Sequence, residues 1–229
     1  MTDVPETRSA TAATYDRLRT AILSLQLLPG QALAERALEG LLESSRTPIR
    51  AALIKLESEG LVRKGGGDRS YTVAPIEVGE LEQAFAFRAL LETSAIKEAA
   101  KRATPEDIAR LRVLEQEASS VSSDVAVRAP KAEQLHLEFA RIAGNQFTLR
   151  ALEDIMRVVY RARWLDLQTD KADVGSKQHQ QLIDLVEAGK SEEAAALMES
   201  HVGHSSERLL GSIRTQAQGL RMRGLQVVV

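Results

Sequence analysis

Arginines with a donor geometry suited to nucleic acid cluster in the first quarter of the sequence. Arg46 and Arg50 are four residues apart in a helical pattern, so they share one face of the predicted helix. Thr47 lies beside that face, and Arg36 belongs to the preceding helix. An arginine fork can donate two hydrogen bonds to guanine O6 and N7 or to a phosphate, and a threonine hydroxyl can bond a phosphate. These residues predict a helix that contacts base edges and phosphates.

A second basic group flanks a glycine-rich turn just after this helix. Arg63, Lys64 and Arg69 surround glycines 65–67, and Gly66 at the tip would let the backbone approach a narrow minor groove. Any one of these cations alone would be interpreted as a solvated surface charge. Six cations on the two helices and the hairpin together favour DNA binding.

Three of the four histidines are placed where they could meet. His136, His179 and His201 each lie on the apolar face of a different predicted helix. A single histidine on such a face is usually a core residue with one hydrogen bond. Three in one bundle can instead converge on a divalent ion, with Zn²⁺, Ni²⁺ and Mn²⁺ as the candidates. The spacing alone leaves both interpretations open.

Residues 1–75 are predicted to position the arginines in the order helix, helix, helix, hairpin. Ser44 and Ser45 are N-cap candidates for the third helix, and Gly60 ends it. The strand-like runs LVRK and RSYTV surround the glycines. This order is that of a winged helix-turn-helix in which the third helix is the reading element.

Residues 76–229 are predicted to form an all-helical bundle, so the expected fold class is mainly α with two domains. Thr104 caps a helix that starts at Pro105, with Asp107 completing a capping-box-like pattern. Residues 119–130 are expected to be a loop, and the C-terminal residues a frayed tail. The other helices are predicted over residues 78–102, 130–143, 146–168, 174–188 and 191–214.

Composition limits the class of protein. The low aromatic content of 3% favours helices over sheets, and the lack of cysteine excludes disulfides and thiolate zinc sites. The sequence has neither a signal-peptide pattern nor an apolar run long enough for a membrane helix, so we expect a cytoplasmic protein. The formal net charge is −2, which means that any DNA-binding surface must be a local patch.

The stretch SSRTPIRAALIKLESEGLV resembles the helix-turn-helix signature of the GntR family of bacterial transcription regulators, and PGQALAERAL resembles the segment before it. The resemblance covers residues 15–74. It implies that Arg36, Arg46 and Arg50, with a glycine at the wing tip, contact the operator. The wing departs from the usual pattern, because Ser70 stands where a glycine is common.

The stretches FAFRALLETSAIKEAAKRAT, LHLEFARIAGN and GSKQHQQLIDLVEAGKSEEAAALMESHV resemble the FadR-like effector domain of the FCD type. Many members hold a divalent metal with an aspartate and three histidines, which His136, His179 and His201 match. The aspartate position is Ala132 here, and Glu133 beside it points about 100° away on an ideal helix. The site could therefore bind metal through three histidines, with water or an effector carboxylate completing the shell, or have lost the metal.

Arg88 matches an arginine that faces the effector cavity in relatives, where it could pair with a ligand carboxylate. The alternative is a surface salt bridge with Glu92, one helical turn on. The resemblance thus implies a homodimeric regulator, by analogy a repressor, that reads a near-palindromic operator and responds to a small organic acid. The alternative from a different class is a hydrolase with a three-histidine zinc site.

Overall fold

The computed structural model describes residues 10–65, 70–120, 125–163 and 172–229, with side chains described there except at 120, 125–130 and 172–176. The predicted mainly α fold is confirmed. None of the helices in these ranges has the length and hydrophobicity needed to cross a bilayer. In chain order the elements are α1 Ala10–Leu23, β1 Ala32–Leu33, α2 Glu35–Leu42, α3 Arg46–Ser58, β2 Val62–Lys64, β3 Tyr71–Val73, β4 Ile76–Glu77, α4 Val78–Arg102, α5 Pro105–Ser120, α6 Val125–Ile142, α7 Gln146–Arg163, α8 Ala172–Glu187, α9 Ser191–Met222 and β5 Val227–Val228.

The chain divides into two compact units. One runs to Ile76 and also includes Ala217–Val228, whereas Glu77–Gln216 and Val229 form the other. The sequence analysis assigned everything after residue 75 to the bundle and expected a frayed tail, and both expectations are wrong for the C-terminal segment. Backbone pairing that leaves no local sequence signal holds this segment in the first unit.

The first unit is a winged helix. Helix α1 packs along α3, and their apolar stripes form the centre of the core. The small sheet has the order β1-β3-β2, with antiparallel pairs such as Ala32↔Thr72 and Arg63↔Thr72. The buried side chains at the centre of this core are Leu18, Ile22, Ile49, Leu53 and Leu56.

The two ends of α3 differ in how well the sequence predicted them. Gly60 follows the helix with φ +71°, and the Leu61 N–H returns to the Leu56 carbonyl at 2.9 Å, as expected for a glycine-terminated helix. Ser45 occupies the N-cap position but makes no side-chain capping hydrogen bond. The Ser44 hydroxyl instead lies 2.7 Å from the Thr14 hydroxyl on α1, so it ties two helices together.

The second unit is a bundle of α4 to α8 and most of α9. Helix α4 contacts α6, α7 and α8, and α6 packs against α5 and α7. Helix α5 runs to Ser120 and α6 begins at Val125, so the loop expected over residues 119–130 is wrong at both ends, and residues 121–124 lie outside the described residues. The three predicted histidines are all buried within this bundle.

Candidate metal centre and nucleic-acid interface

The three predicted histidines lie together inside the bundle. His136 comes from α6, His179 from α8 and His201 from α9, and all three side chains are buried. One potential ligand nitrogen from each falls within 4.8 Å of the other two. Their ring centroids are 4.8 to 5.2 Å apart. Three buried imidazoles at this separation form a donor set that suits a divalent metal.

Acceptors on the far side of two rings fix which nitrogens face the centre of the cluster. Glu92 Oε2 lies 2.6 Å from His136 Nδ1, and Gln178 Oε1 lies 2.9 Å from His201 Nδ1. Because both partners are acceptors, each Nδ1 carries the proton and donates it. The Nε2 atom of each neutral ring then keeps its lone pair, which is the arrangement of metal-binding histidines with oriented outer partners.

One of the three nitrogen pairs has the separation that a tetrahedral ion requires. His179 Nε2 lies 3.3 Å from His201 Nε2. Two nitrogens bound at about 2.0–2.1 Å to a tetrahedral zinc would be about 3.3–3.4 Å apart. Two lone pairs at this distance repel each other, so either a proton or a cation must lie between these two nitrogens.

Arg88 and Glu92 form a buried ion pair behind His136. Arg88 Nε donates to Glu92 Oε1 at 2.5 Å, while the other oxygen of Glu92 accepts from His136. Both side chains of the pair are almost completely buried, so the surface salt bridge considered from the sequence is instead an interior one. Nη1 and Nη2 of Arg88 have no hydrogen-bond partner among the described residues. Unpaired charged donors at full burial are costly, so this arginine calls for an anion or ordered water.

A small cavity opens beside these groups. Its volume of about 10 Å³ is room for about one water molecule. Arg163, half-buried at the same wall, donates to the Ser205 hydroxyl at 3.0 Å. Burial, and then the positive charges of Arg88 and Arg208, lower the pKa of Arg163 to about 9. The cavity is lined by Arg88, Glu133, His136, Met156, Val159, Tyr160 and Arg163.

Electrostatics keep the histidines neutral and Glu92 charged. Burial lowers the pKa of His136, His179 and His201, nearby positive charges lower it further, and the negative charge of Glu92 offsets only part of this shift. Burial would raise the pKa of Glu92, but Arg88 and His136 outweigh it and hold this pKa well below the ordinary range. Neutral imidazoles and an ionised outer carboxylate are the protonation states that a metal site requires.

Ala132 stands where the family pattern has an aspartate ligand. Among the described residues, the histidines are the group of potential metal ligands, and no carboxylate joins them. Ala132 offers only a methyl group. Glu133 lines the cavity, where its charge acts on Arg163, and it is not part of the ligand cluster.

The arginines of the first unit occupy the outer face of the winged helix. Arg46, Thr47 and Arg50 are exposed on α3, and Arg36 is exposed on α2. Glu35 accepts from Arg50 through both oxygens, at 2.7 Å from Nε and 2.9 Å from Nη2. The predicted DNA-contacting residues of α2 and α3 are therefore all accessible to solvent.

The wing is a short antiparallel hairpin. Strand β2 pairs with β3 from Val62↔Val73 to Lys64↔Tyr71, and the Gly65 N–H donates to the Ser70 carbonyl at 2.7 Å. Arg63 and Lys64 are exposed on β2. Gly66 and Arg69, the predicted tip residues, lie outside the described residues.

Comparison with known proteins decides the family. Residues 83–204 match the FCD domain, and residues 10–71 match the family described as bacterial regulatory proteins, gntR family. The chain is 30% identical over 195 residues to the Nta operon transcriptional regulator of Aminobacter aminovorans, covering 84% of this chain and 90% of that protein. The chain belongs to the GntR family and carries an FCD domain.

Other relatives of this GntR protein agree. The HTH-type transcriptional regulator LutR of Bacillus subtilis is 23% identical over 215 residues, or 84% of this chain and 98% of that protein. E. coli McbR/YncC shares the fold, with a TM-score of 0.77 and 18% identity over 89% of this chain and 98% of that one. The protein is therefore a DNA-binding transcriptional regulator.

Sequence reasoning missed three residues of the GntR protein's two sites. Glu92 appeared only as a partner for a surface arginine, whereas it orients both Arg88 and His136. Gln178 directly precedes His179 but serves His201 on another helix. The only sequence feature that distinguishes Glu35 is its place as an acidic residue in the first turn of α2. Each acts across helices, so no spacing within one helix reveals it.

Proposed function

We propose that this GntR regulator is a ligand-responsive repressor that senses a small organic acid at a divalent metal held by His136, His179 and His201. The observation that carries the proposal is the convergence of three buried imidazoles beside Arg88, whose Nη donors have no protein partner. A carboxylate would satisfy both the arginine and an open metal position.

The metal role follows from the donor set. His136, His179 and His201 would hold the ion, with Zn²⁺, Ni²⁺ and Mn²⁺ as the candidates. When bound, the ion supplies a Lewis-acidic position that can accept an oxygen ligand. Since Ala132 offers no fourth ligand, that position would be left to water or to the carboxylate of the effector. Glu92 and Gln178 hold two of the rings in the required tautomer.

Arg88 would recognise the acid. Glu92 occupies its Nε edge, so the two Nη groups are left to donate to a carboxylate. Arg163, on the same cavity wall, adds positive charge near the site. Effector binding would change operator affinity only to the extent that the acid prefers one conformer of the regulator.

At the other end of the chain, Arg36, Arg46, Thr47 and Arg50 would contact the operator, with Gly66 at the tip of the wing. A homodimer would place two winged helices on the half-sites of a near-palindromic operator. Phe87 and Leu90 support self-association, because α4 exposes 47% and 70% of these apolar residues.

The alternative of a three-histidine zinc hydrolase has no specific observation in its favour. The family of the chain and the relatives named above are transcriptional regulators. Metal and anion binding would use all three histidines together with Arg88 and Glu92.

The metal is the part of the proposal to test first. Titration of metal-stripped protein with Zn²⁺, Ni²⁺ and Mn²⁺, followed by calorimetry, should give one site per chain. His201→Ala should remove it. His204→Ala, which removes an exposed histidine three residues further along α9, is the matched control and should keep it. Equal metal binding by wild type and His201→Ala would sink the three-histidine site.

A further inference from the structure

Two acidic residues of α2 hold the arginines of the reading helix. Glu35 binds Arg50 through two hydrogen bonds, from Nε at 2.7 Å and from Nη2 at 2.9 Å. Glu39 accepts one, from Arg46 Nε at 2.9 Å. The Glu35 side chain is 19% exposed and that of Arg50 is 46% exposed, so the carboxylate lies deeper than the guanidinium it holds.

The edge of Arg50 that Glu35 occupies determines which donors remain. A guanidinium has five N–H donors in a rigid plane, which form two forked edges. The side-on edge, made by Nε and Nη2, faces Glu35. The end-on edge, made by Nη1 and the second hydrogen of Nη2, has no partner among the described residues. This end-on edge has the spacing that matches O6 and N7 of guanine.

We infer that Glu35 is a positioning residue for operator specificity, which holds Arg50 side-on so that its end-on edge is presented to a guanine. The inference rests on the proposed role of Arg50 as a base-reading residue. A free arginine can swing its fork to any nearby phosphate, which strengthens binding to all sequences alike. Arg50 held by Glu35 has already lost that freedom, and its charge is partly compensated. Glu35 therefore favours the cognate base and weakens sequence-independent binding.

Arg46 offers a built-in comparison. Its contact with Glu39 uses Nε alone, and its side chain is 61% exposed. A single hydrogen bond does not fix the plane of a guanidinium, so Arg46 keeps the freedom to turn. We therefore expect the removal of Glu39 to change sequence preference less than the removal of Glu35.

The test compares Glu35→Gln in α2 with Glu43→Gln at the C-cap of the same helix, because each removes one negative charge. A duplex selected from a random library by the wild-type protein serves as the operator probe, and its scrambled version as the non-specific probe. Glu35→Gln should lower the ratio of the two affinities by about 3- to 10-fold, the effect of about one hydrogen bond. It should also leave unchanged or raise the affinity for scrambled DNA. Glu43 is exposed and paired only distantly with Arg17. Glu43→Gln should therefore shift both affinities by the same factor.

Three further measurements make the outcome decisive. Glu35→Asp keeps the charge but withdraws the carboxylate by one methylene, so it should also lower the ratio, and it replaces Glu35→Gln if that variant fails to fold. Arg50→Ala should lower operator affinity by about 5- to 150-fold. If Arg50→Ala has no effect, the base-reading role fails and the inference fails with it. If Arg50→Ala weakens the operator complex but Glu35→Gln behaves like Glu43→Gln, only the positioning role of Glu35 is overturned.

Discussion

The ion pair of Arg88 and Glu92 shows how a single residue can serve two partners. Glu92 offers one oxygen to Arg88 and the other to His136, so the carboxylate connects the anion-seeking arginine to the histidine cluster. The sequence posed these as alternatives, with Arg88 facing either a ligand or Glu92. The fold pairs the Nε edge with Glu92 and leaves the Nη groups unpaired, so the ion pair does not preclude the proposed ligand role. A substitution of Arg88 alone would therefore remove the partner of Glu92 as well as the proposed ligand contact.

A double-substitution series separates these two roles. Arg88→Met should lower the free energy of unfolding by about 3–5 kcal/mol, because it leaves the buried carboxylate of Glu92 without its cation. Arg88→Met combined with Glu92→Gln should recover much of this loss. The amide removes the charge yet can still accept from His136 Nδ1. Urea denaturation measures both. An equal loss in the single and double variants would show that the charge pairing is not what stabilises this site.

The histidines make a prediction about pH in metal-free protein. Their pKa values are lowered by burial, so the unfolded chain takes up protons below pH 6.5 that the folded chain refuses. The stability that the neutral histidines contribute is therefore complete above this pH. As the pH drops further, the free energy of unfolding falls by about 1.4 kcal/mol per unit for each histidine. Glu92, whose pKa is depressed, adds a loss in the same direction below pH 4.5.

Urea denaturation with EDTA between pH 7.5 and 5.5 would measure this slope. His201→Gln should make it shallower by about the contribution of one histidine. His204→Gln removes an exposed histidine from the same helix and is the matched control. The same slope in wild type and His201→Gln would contradict the interpretation that burial holds this imidazole neutral.

At the scale of elements, local signals predicted well the helix ends that a cap residue marks. The unmarked start of α6, expected at 130, and the end of α9, expected at 214, were wrong, since these helices begin at 125 and end at 222. Helix α5 begins at Pro105 after a reciprocal cap, in which the Asp107 N–H donates to the Thr104 hydroxyl at 3.2 Å and Asp107 accepts from the Thr104 N–H at 2.8 Å. Gly144 and Gly189 follow α6 and α8 with positive φ, as is usual for glycines that end helices. These signals succeed because the cap and the helix end lie within a few residues of each other.

Contacts between distant parts of the chain were not predictable in this way. The C-terminal strand looked like a frayed tail, yet the Gln226 N–H donates to the Pro29 carbonyl at 2.8 Å and its own carbonyl accepts from the Ile76 N–H at 3.0 Å. Two backbone partners at separations of 150 residues or more leave no periodicity to detect. Glu92 and Gln178 were missed for the same reason, since their partners lie on other helices.

Gly30 tests this C-terminal contact. Its φ is +85°, and an added Cβ would come within 2.5 Å of Gln226 Cβ. Gly30→Ala should therefore lower the free energy of unfolding by at least about 1–2 kcal/mol from backbone strain alone, with the steric clash in addition. Adding Gln226→Gly should relieve the clash but not the strain. Gly40 is the control, because a Cβ there meets nothing within 4 Å.

Gly40→Ala, in the middle of α2, should be neutral or stabilising by about 0.5–1 kcal/mol. Thermal and urea denaturation of the full chain give the comparison. If adding Gln226→Gly recovers none of the stability lost in Gly30→Ala, the C-terminal strand is not held against this turn in solution.

For the whole molecule, metal, acid and operator should be linked. A small mono- or dicarboxylate present at about 100 times its Kd should stabilise the metal-loaded protein by about 2.7 kcal/mol, which a thermal-shift screen detects. Because coupling is reciprocal, the same acid must change operator affinity by the factor by which operator changes acid affinity. Binding of neutral or cationic compounds in preference to acids would contradict the positive character of the cavity.

Ala132→Asp separates the metal from the acid in this linkage. An aspartate one turn before His136 on α6 would supply the missing fourth ligand, so metal affinity should rise. On an ion with four ligands, the same carboxylate would take the position left for the effector, and acid affinity should fall. Gln134→Asp adds the same charge at an exposed position of α6 and is the matched control. A rise in metal affinity with a fall in acid affinity, seen in Ala132→Asp but not in Gln134→Asp, would show that the acid binds to the metal. If metal affinity rises but acid affinity is unchanged, the acid instead binds through Arg88 without the ion.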